Sequence, residues 1–240
     1  MRIPDWLADF DQPFAEAIAR QITPSRERRV AAFDADGTLW YEDIGEAFAR
    51  WLAAGGHLEG IADVPAFWEE YERRVDESRI DGYTWVIQVM AGLPEADVQL
   101  WCRQLAAAWS NYRPLMRALI AGLQSEGFET WIVSASNRWV VHAGAPHVGI
   151  PQDKVIGIQT QVVDGLLTTD PVLPRPCNQG KVDAIKAHIG VVPTFAFGDS
   201  MGDFEMLGYV EQALVVGRND QPDNELIRQA GEKGWPVHRF

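Results

Sequence analysis

The chain is 240 residues long, 47% apolar and 23% charged, the composition of a packed globular protein and not of a disordered or fibrous one. Its formal net charge is −13, and its basic stretches, Arg26–Arg29 and Arg73–Arg74, are short and mixed with acids, which argues against nucleic acid as a partner. No apolar run approaches bilayer length, MRIPDWLADFDQ contains no secretory stretch, and Cys102 and Cys177 form no CxxC; we expect a cytoplasmic protein with no membrane partner, no disulfide framework and no cysteine zinc site.

In chain order, apolar spacing near 3.6 predicts an amphipathic helix over 5–21. Residues 29–33 then form a short apolar run that empties into Asp34-Ala35-Asp36-Gly37-Thr38, the pattern of a buried parallel strand ending in a loop. The figure recurs at 130–133 into Ser134-Ala135-Ser136-Asn137, at 194–197 into Gly198-Asp199-Ser200, and at 213–216 into Gly217. Helical patterns at 114–126 and 179–189 lie between these strands, so the expected architecture is a doubly wound, Rossmann-like, mostly parallel α/β sheet. In such a sheet, ligands sit at the carboxyl ends of the strands, where the polar clusters fall.

The alternation is interrupted between the first two strands. Residues 42–54, 63–79, 81–91 and 95–109 read as helices, broken at Gly55-Gly56 and Gly92-Leu93-Pro94. This predicts a small all-α cap over 40–112, with 1–39 and 113–240 forming the core. A hairpin is expected over 155–168, turning at Val163-Asp164-Gly165-Leu166.

Asp34 and Asp36 stand two apart past a strand, so both carboxylates can face one ligand, and together they call for a cation or a shared proton. Hard oxygen donors without a His/Cys cluster favour Mg²⁺ over zinc. Asp199 adds a third carboxylate, Ser134 a hydroxyl and Lys181 a mobile ammonium, beside Gly180, which permits close backbone approach. Such a set suits a dianionic phosphoryl group: one carboxylate attacks phosphorus and the other shuttles the leaving-group proton.

Four motifs in order, Asp34-Ala35-Asp36-Gly37-Thr38, the strand end at Ser134, Lys181 in Asn178-Gln179-Gly180-Lys181, and Gly198-Asp199-Ser200-Met201-Gly202-Asp203, resemble those of the haloacid dehalogenase (HAD) superfamily of phosphatases over roughly residues 29–217. The helical insertion after the first motif is similar to that of its phosphoserine phosphatase-like branch. The resemblance implies Asp34 as nucleophile and Asp36 as general acid/base, with Mg²⁺ held by Asp34, the main-chain carbonyl of Asp36, and Asp199. It also implies Ser134 and Lys181 on the phosphoryl group, with Asp203 in support. The implied activity is hydrolysis of a small phosphomonoester: an amino-alcohol or choline-type phosphate, or phosphoserine. The alternatives are a phosphotransferase or phosphomutase, or a non-catalytic phosphate-binding regulatory protein. The oligomeric state is left open.

Six of the ten tryptophans fall within 40–112. Most are expected to fill the core of a small helical cap. Trp40 and Trp85 are candidates to line a cage for a cationic head group; the resemblance implies an amine-binding acid a few residues past the first motif, Asp43 or Glu42, with Asp43 the favoured candidate. Arg175 is expected to be a solvent-exposed loop side chain, and His142, His147 and His188 packing or surface residues.

Overall fold

A computed structural model describes residues 2–22, 27–58, 61, 63–221 and 224–240; Arg26 of the first basic stretch lies outside them. Its strands are β1 (Arg29–Phe33), β2 (Phe128–Asn137), β3 (Val155–Ile158), β4 (Thr160–Val163), β5 (Leu166–Pro171), β6 (Phe195–Gly198), β7 (Gln212–Gly217) and β8 (Val237–Arg239). Six of them form one parallel sheet in the order β3-β2-β1-β6-β7-β8.

The apolar runs follow from burial on both faces. In β1, Ala31 and Phe33 enter one core layer, while Val30 and Ala32 enter the other. β6 divides in the same way, with Phe195 and Phe197 opposite Ala196. A strand covered on both sides has no polar face to show in its sequence. The first layer is closed by α1 (Gln12–Gln21), α6 (Pro114–Ser125) and α7 (Arg138–Gly144) through Phe14, Leu119 and Val140. The second is closed by α8 (Gln179–Ala184), α9 (Phe204–Tyr209) and α10 (Glu225–Lys233) through Ala184, Met206 and Leu226.

The chain adds β2 and β3 on one side of β1, then returns to place β6 on the other. The order therefore reverses between β1 and β6, and the crevice outside their carboxyl ends is the natural ligand position in an open α/β sheet. The join there is tight: the Asp34 N–H donates to the Phe197 carbonyl at 2.8 Å, and the Phe33 and Phe197 rings stack with centroids 4.4 Å apart.

Between β1 and α6 lie α2 (Ile44–Ala54), α3 (Val64–Glu77), α4 (Arg79–Gln88) and α5 (Glu95–Ala108). The α4–α5 connection pairs with the small β4–β5 hairpin: Gly92 N–H donates to the Leu167 carbonyl, Leu167 N–H to Leu93, and Glu95 N–H to Gly165. Arg175 also departs from expectation, because its Nη1 reaches Asp81 Oδ1 and Thr84 Oγ1 on α4, each at 3.1 Å.

Two sequence-predicted elements divide. The helix expected over 5–21 is a 3₁₀ turn at Asp5–Leu7 followed by α1, whose first turn holds Pro13. Asp11 sits at the break, its carboxylate accepting from the Arg239 N–H at 3.2 Å and lying 3.0 Å from the His238 ring. The hairpin expected over 155–168 yields Val155–Ile158 to the main sheet as β3, and the hairpin itself is β4–β5, turning at Asp164 and Gly165, both at positive φ. Arg73, Arg74 and Arg28 are each paired with Glu70, Glu77 or Glu129, so these cations form no bare basic patch. Among the described residues, no helix is long and apolar enough to cross a membrane.

Phe197→Ala removes half of the stacked pair under the crevice, where neither ring has any exposure. It should lower the unfolding free energy by about 3–5 kcal/mol, read by urea denaturation.

Candidate active site

Asp34 follows β1 directly and is almost fully buried. The chain then turns sharply, with Leu39 N–H donating to the Ala35 carbonyl at 2.7 Å and Gly37 at φ +78°. Gly37 meets two requirements at once, since a Cβ there would also stand 2.0 Å from Asp199 Oδ2. Arg113, completely buried at the start of α6, donates from Nη2 to the Gly37 carbonyl at 3.0 Å, with its guanidinium over the Tyr41 and Phe240 rings.

Lys181 is the central cation. It rises from α8 into the crevice, 2% exposed, with Nζ 2.5 Å from Asp34 Oδ1 and 2.6 Å from Asp203 Oδ1. Burial works against its charge, but the two carboxylates outweigh burial and hold it protonated. Asp203 is fixed in turn: Oδ2 accepts from the Asp199 and Ser200 main-chain N–H groups, both at 3.1 Å, and from Ser200 Oγ.

Asp36 has both carboxylate oxygens engaged. Oδ1 accepts from Trp40 Nε1 at 2.7 Å and from the Ile44 N–H, at the start of α2, at 2.8 Å; Oδ2 accepts from Ser136 Oγ at 2.5 Å. Burial raises its pKa, and the three donors oppose the rise.

Single oxygens of Asp34, Asp199 and Asp203 lie within 4.8 Å of one another. Burial raises the pKa of Asp34 and of Asp199, and in each case neighbouring acids raise it further. A hard divalent cation would relieve that repulsion, and an all-oxygen donor set suits one. The oxygens of Asp203 are already engaged by Lys181 and by the loop donors, so Asp34 and Asp199 are the better-placed ligands.

Above this floor is a cavity that reaches beneath the inserted helices. Phe48, Leu52, Leu58, Val86 and Met90 form its apolar wall. Asp43, Glu46, Tyr71, Arg79 and Tyr83 add polar groups. The Tyr71 hydroxyl donates to Glu46 Oε1 at 3.1 Å, and Asp43 caps α2 through the Glu46 N–H at 2.7 Å.

Residues 31–208 match the family described as haloacid dehalogenase-like hydrolase. The chain belongs to that family. By sequence it is 25% identical over 227 residues to the histidinol-phosphatase of Neisseria meningitidis, covering 89% of this chain and 99% of that protein. It is 29% identical over 210 residues to phosphoserine phosphatase SerB2 of Mycobacterium tuberculosis, covering 82% of this chain and 46% of that one. Among solved structures, a protein with unknown function from Bordetella pertussis superposes with TM-score 0.75 at 20% identity, covering 88% of this chain and 97% of that one. A substrate-bound phosphoserine phosphatase superposes with TM-score 0.54 at 16% identity, covering 85% and 91%. At those identities the structures bear on the fold alone: an α/β Rossmann-like sheet.

In this HAD-like hydrolase the fold gathers Asp34, Asp36, Lys181, Asp199 and Asp203 at one crevice. The structure places the other residues singled out in the sequence as follows. Ser134 is completely buried, its Oγ accepting from the Ser136 N–H at 3.1 Å, and β2 runs on to Asn137 and carries Ser136 to the cavity wall. Lys181 Nζ stands between two carboxylates. Trp40 and Trp85 do not line the cavity: Trp40 is buried against Tyr112 and hydrogen-bonded to Asp36, while Trp85 packs on Phe67 and under Arg74. Sequence reasoning also missed Arg113, Glu46, Tyr71 and the role of Ser136. Arg113 looks like an ordinary residue before Pro114, and Glu46 like one more acid on a solvated helix face.

The raised pKa of Asp199 has a sign that can be tested. Its folded value lies above its unfolded one, so its ionisation weakens the metal-free fold at neutral pH, and the penalty is relieved as pH falls toward the ordinary carboxylate value near ~4. In chelator, Asp199→Asn should therefore melt at a higher temperature than the parent at neutral pH, and the gap should narrow on acidification. Equal Tm values throughout would show that this charge costs the fold nothing.

Proposed function

We propose that this HAD-like hydrolase is a Mg²⁺-dependent phosphomonoesterase working through an aspartyl phosphate on Asp34. The observation that carries the reading is the Lys181-bound Asp34 carboxylate at the β1/β6 crevice, two residues from an acid held by three donors. An Asp34 oxygen attacks phosphorus and the ester P–O bond breaks, with the departing alkoxide taking the proton of Asp36. Asp36 then removes a proton from water as the water attacks the same phosphorus. The Asp34–phosphorus bond breaks, and inorganic phosphate and the original carboxylate are restored. Lys181 offers fixed positive charge to the phosphoryl oxygens while holding Asp34 in line. Ser136 supplies the hydroxyl at the cavity wall that the sequence assigned to Ser134. Asp34, Asp199 and the main-chain carbonyl of Asp36 would hold Mg²⁺, which when bound would supply charge neutralisation for the phosphoryl group.

We read residues 40–112 as a cap that keeps bulk water from the aspartyl phosphate. Its contributions to the cavity favour a small amino-alcohol phosphate: Asp43 and Glu46 suit an ammonium group, and the apolar wall suits a short hydrocarbon body. The names of the relatives, a histidinol-phosphatase and a phosphoserine phosphatase, support an amine-bearing substrate. A choline-type cage loses its support, because neither Trp40 nor Trp85 lines the cavity.

Steady release of p-nitrophenol from its phosphate should require Mg²⁺ and stop with EDTA. Asp34→Asn should abolish it, and Asp36→Asn should reduce turnover about 10²- to 10⁴-fold. Transfer of the phosphoryl group to added alcohol in place of water would assign a phosphotransferase instead, and binding without turnover a regulatory protein. For the substrate, Glu46→Gln should raise KM for phosphoethanolamine about tenfold while leaving KM for p-nitrophenyl phosphate within about twofold, the loss of one charge-assisted contact. Equal changes in both would remove Glu46 from amine recognition.

A further inference from the structure

Asp36 carries the heaviest demand in the chemistry above, because one carboxyl group must give a proton in the first half-reaction and take one in the second from a fixed place. Its orientation is therefore a structural problem. Rotation about the Asp36 side chain exchanges the two oxygens and swings the proton away from the ester oxygen. Something has to hold the group by one oxygen and leave the other for chemistry.

Trp40 meets that need. It stands four residues after Asp36, on the same turn out of β1, and has no exposed surface. The indole is edge-on to Tyr112, with centroids 5.8 Å apart and planes at 85°, and Tyr112 in turn stacks on His147 at 5.0 Å. On another side the indole faces Gly144 of α7, where a Cβ would stand in ordinary contact with it at 3.5 Å. The ring is also fixed through its backbone, which bridges to Tyr112. A buried indole N–H requires an acceptor. Here the acceptor is Asp36 Oδ1, at 2.7 Å.

The two oxygens of Asp36 are treated differently. Oδ1 receives two N–H donors that have no freedom to accept or exchange a proton under reaction conditions, the indole and the Ile44 main chain. Oδ2 receives only the Ser136 hydroxyl, a rotatable group at the cavity wall. The geometry is asymmetric in the sense that acid/base work needs: one oxygen clamped, the other beside the cavity.

We propose that Trp40 is a positioning residue for proton transfer, clamping Oδ1 of Asp36 so that Oδ2 is the oxygen that gives its proton to the leaving group. The inference rests on the reading of Asp36 as the acid/base. It assigns the indole a task unlike the cation cage expected from sequence, and it explains why a donor-bearing ring occupies a site where a Phe would fill much of the space.

The distinguishing property is leaving-group dependence. Protonation is needed in proportion to the basicity of the departing oxygen, so phenolate depends on Asp36 far more than p-nitrophenolate does. A substitution that only loosened the fold would slow both esters alike. The experiment compares kcat/KM for phenyl phosphate and p-nitrophenyl phosphate in the full chain, in Trp40→Phe, and in protein carrying 3-benzothienylalanine at position 40. That last residue keeps the bicyclic shape and replaces the N–H by sulfur, so it tests the hydrogen bond even where Trp40→Phe folds poorly.

The expected result is a fall of about tenfold to hundredfold for phenyl phosphate, the loss of one hydrogen bond to a charged group, with less than about threefold for p-nitrophenyl phosphate. Equal losses on both esters, no loss on either, or a larger loss on the nitrophenyl ester would overturn the assignment while leaving the phosphatase reading intact. Failure of the parent protein to hydrolyse either ester would instead remove the reading of Asp36 on which the inference rests.

Discussion

The site depends on one buried ammonium. Lys181 stands between Asp34 and Asp203, and the three groups occupy a space with almost no solvent exposure. Taking charges out of water is expensive, and a buried pair is tolerated only when its geometry is good and its remaining lone pairs are satisfied. That condition explains the loop after β6. Asp203 spends its second carboxylate oxygen on the Asp199 and Ser200 N–H groups, and is thereby fixed to hold Lys181. Lys181 in turn fixes Asp34. The chain of contacts runs from main-chain amides to a carboxylate to an ammonium to the group proposed as nucleophile.

The sheet topology makes this chain possible. β1 and β6 are neighbours although more than a hundred and fifty residues separate them, and the Asp34 N–H to Phe197 carbonyl bond joins them where they end. Helices cannot cross directly over the point where strand order reverses, so a crevice opens there. Gly37 then lets the backbone pass so close to Asp199 that no side chain would fit between them. An overall charge of −13 has no bearing on this arrangement: the acids that matter are balanced locally, over a few ångströms.

The inserted helices contribute in two ways. They supply the apolar wall and the Glu46–Tyr71 pair over the cavity, and through the first N–H of α2 they also hold Asp36. The α4–α5 connection is bound to the β4–β5 hairpin by main-chain hydrogen bonds, and Arg175 adds a side-chain contact to α4. The roof over the site is thus connected to the rest of the protein at several places, and one of them is Asp36, the group proposed as acid/base.

The sequence by itself determined the α/β class, four of the parallel strands and the gathering of Asp34, Asp36, Lys181, Asp199 and Asp203. These are local signals: a strand buried on both faces leaves an apolar run, and a strand end at a ligand site leaves polar residues and glycine at fixed offsets. The tertiary structure alone decided which hydroxyl reaches the cavity, because the extension of β2 through Ser134 to Asn137 depends on pairing with its neighbours. It alone turned Trp40 from a candidate cage wall into a hydrogen-bond partner, since a ring's surroundings come from distant segments such as Tyr112 and α7. Arg113 and Tyr71 were silent for the same reason. A residue's type is written locally, whereas the group that it meets is settled only when strands and helices far apart in the chain are packed together.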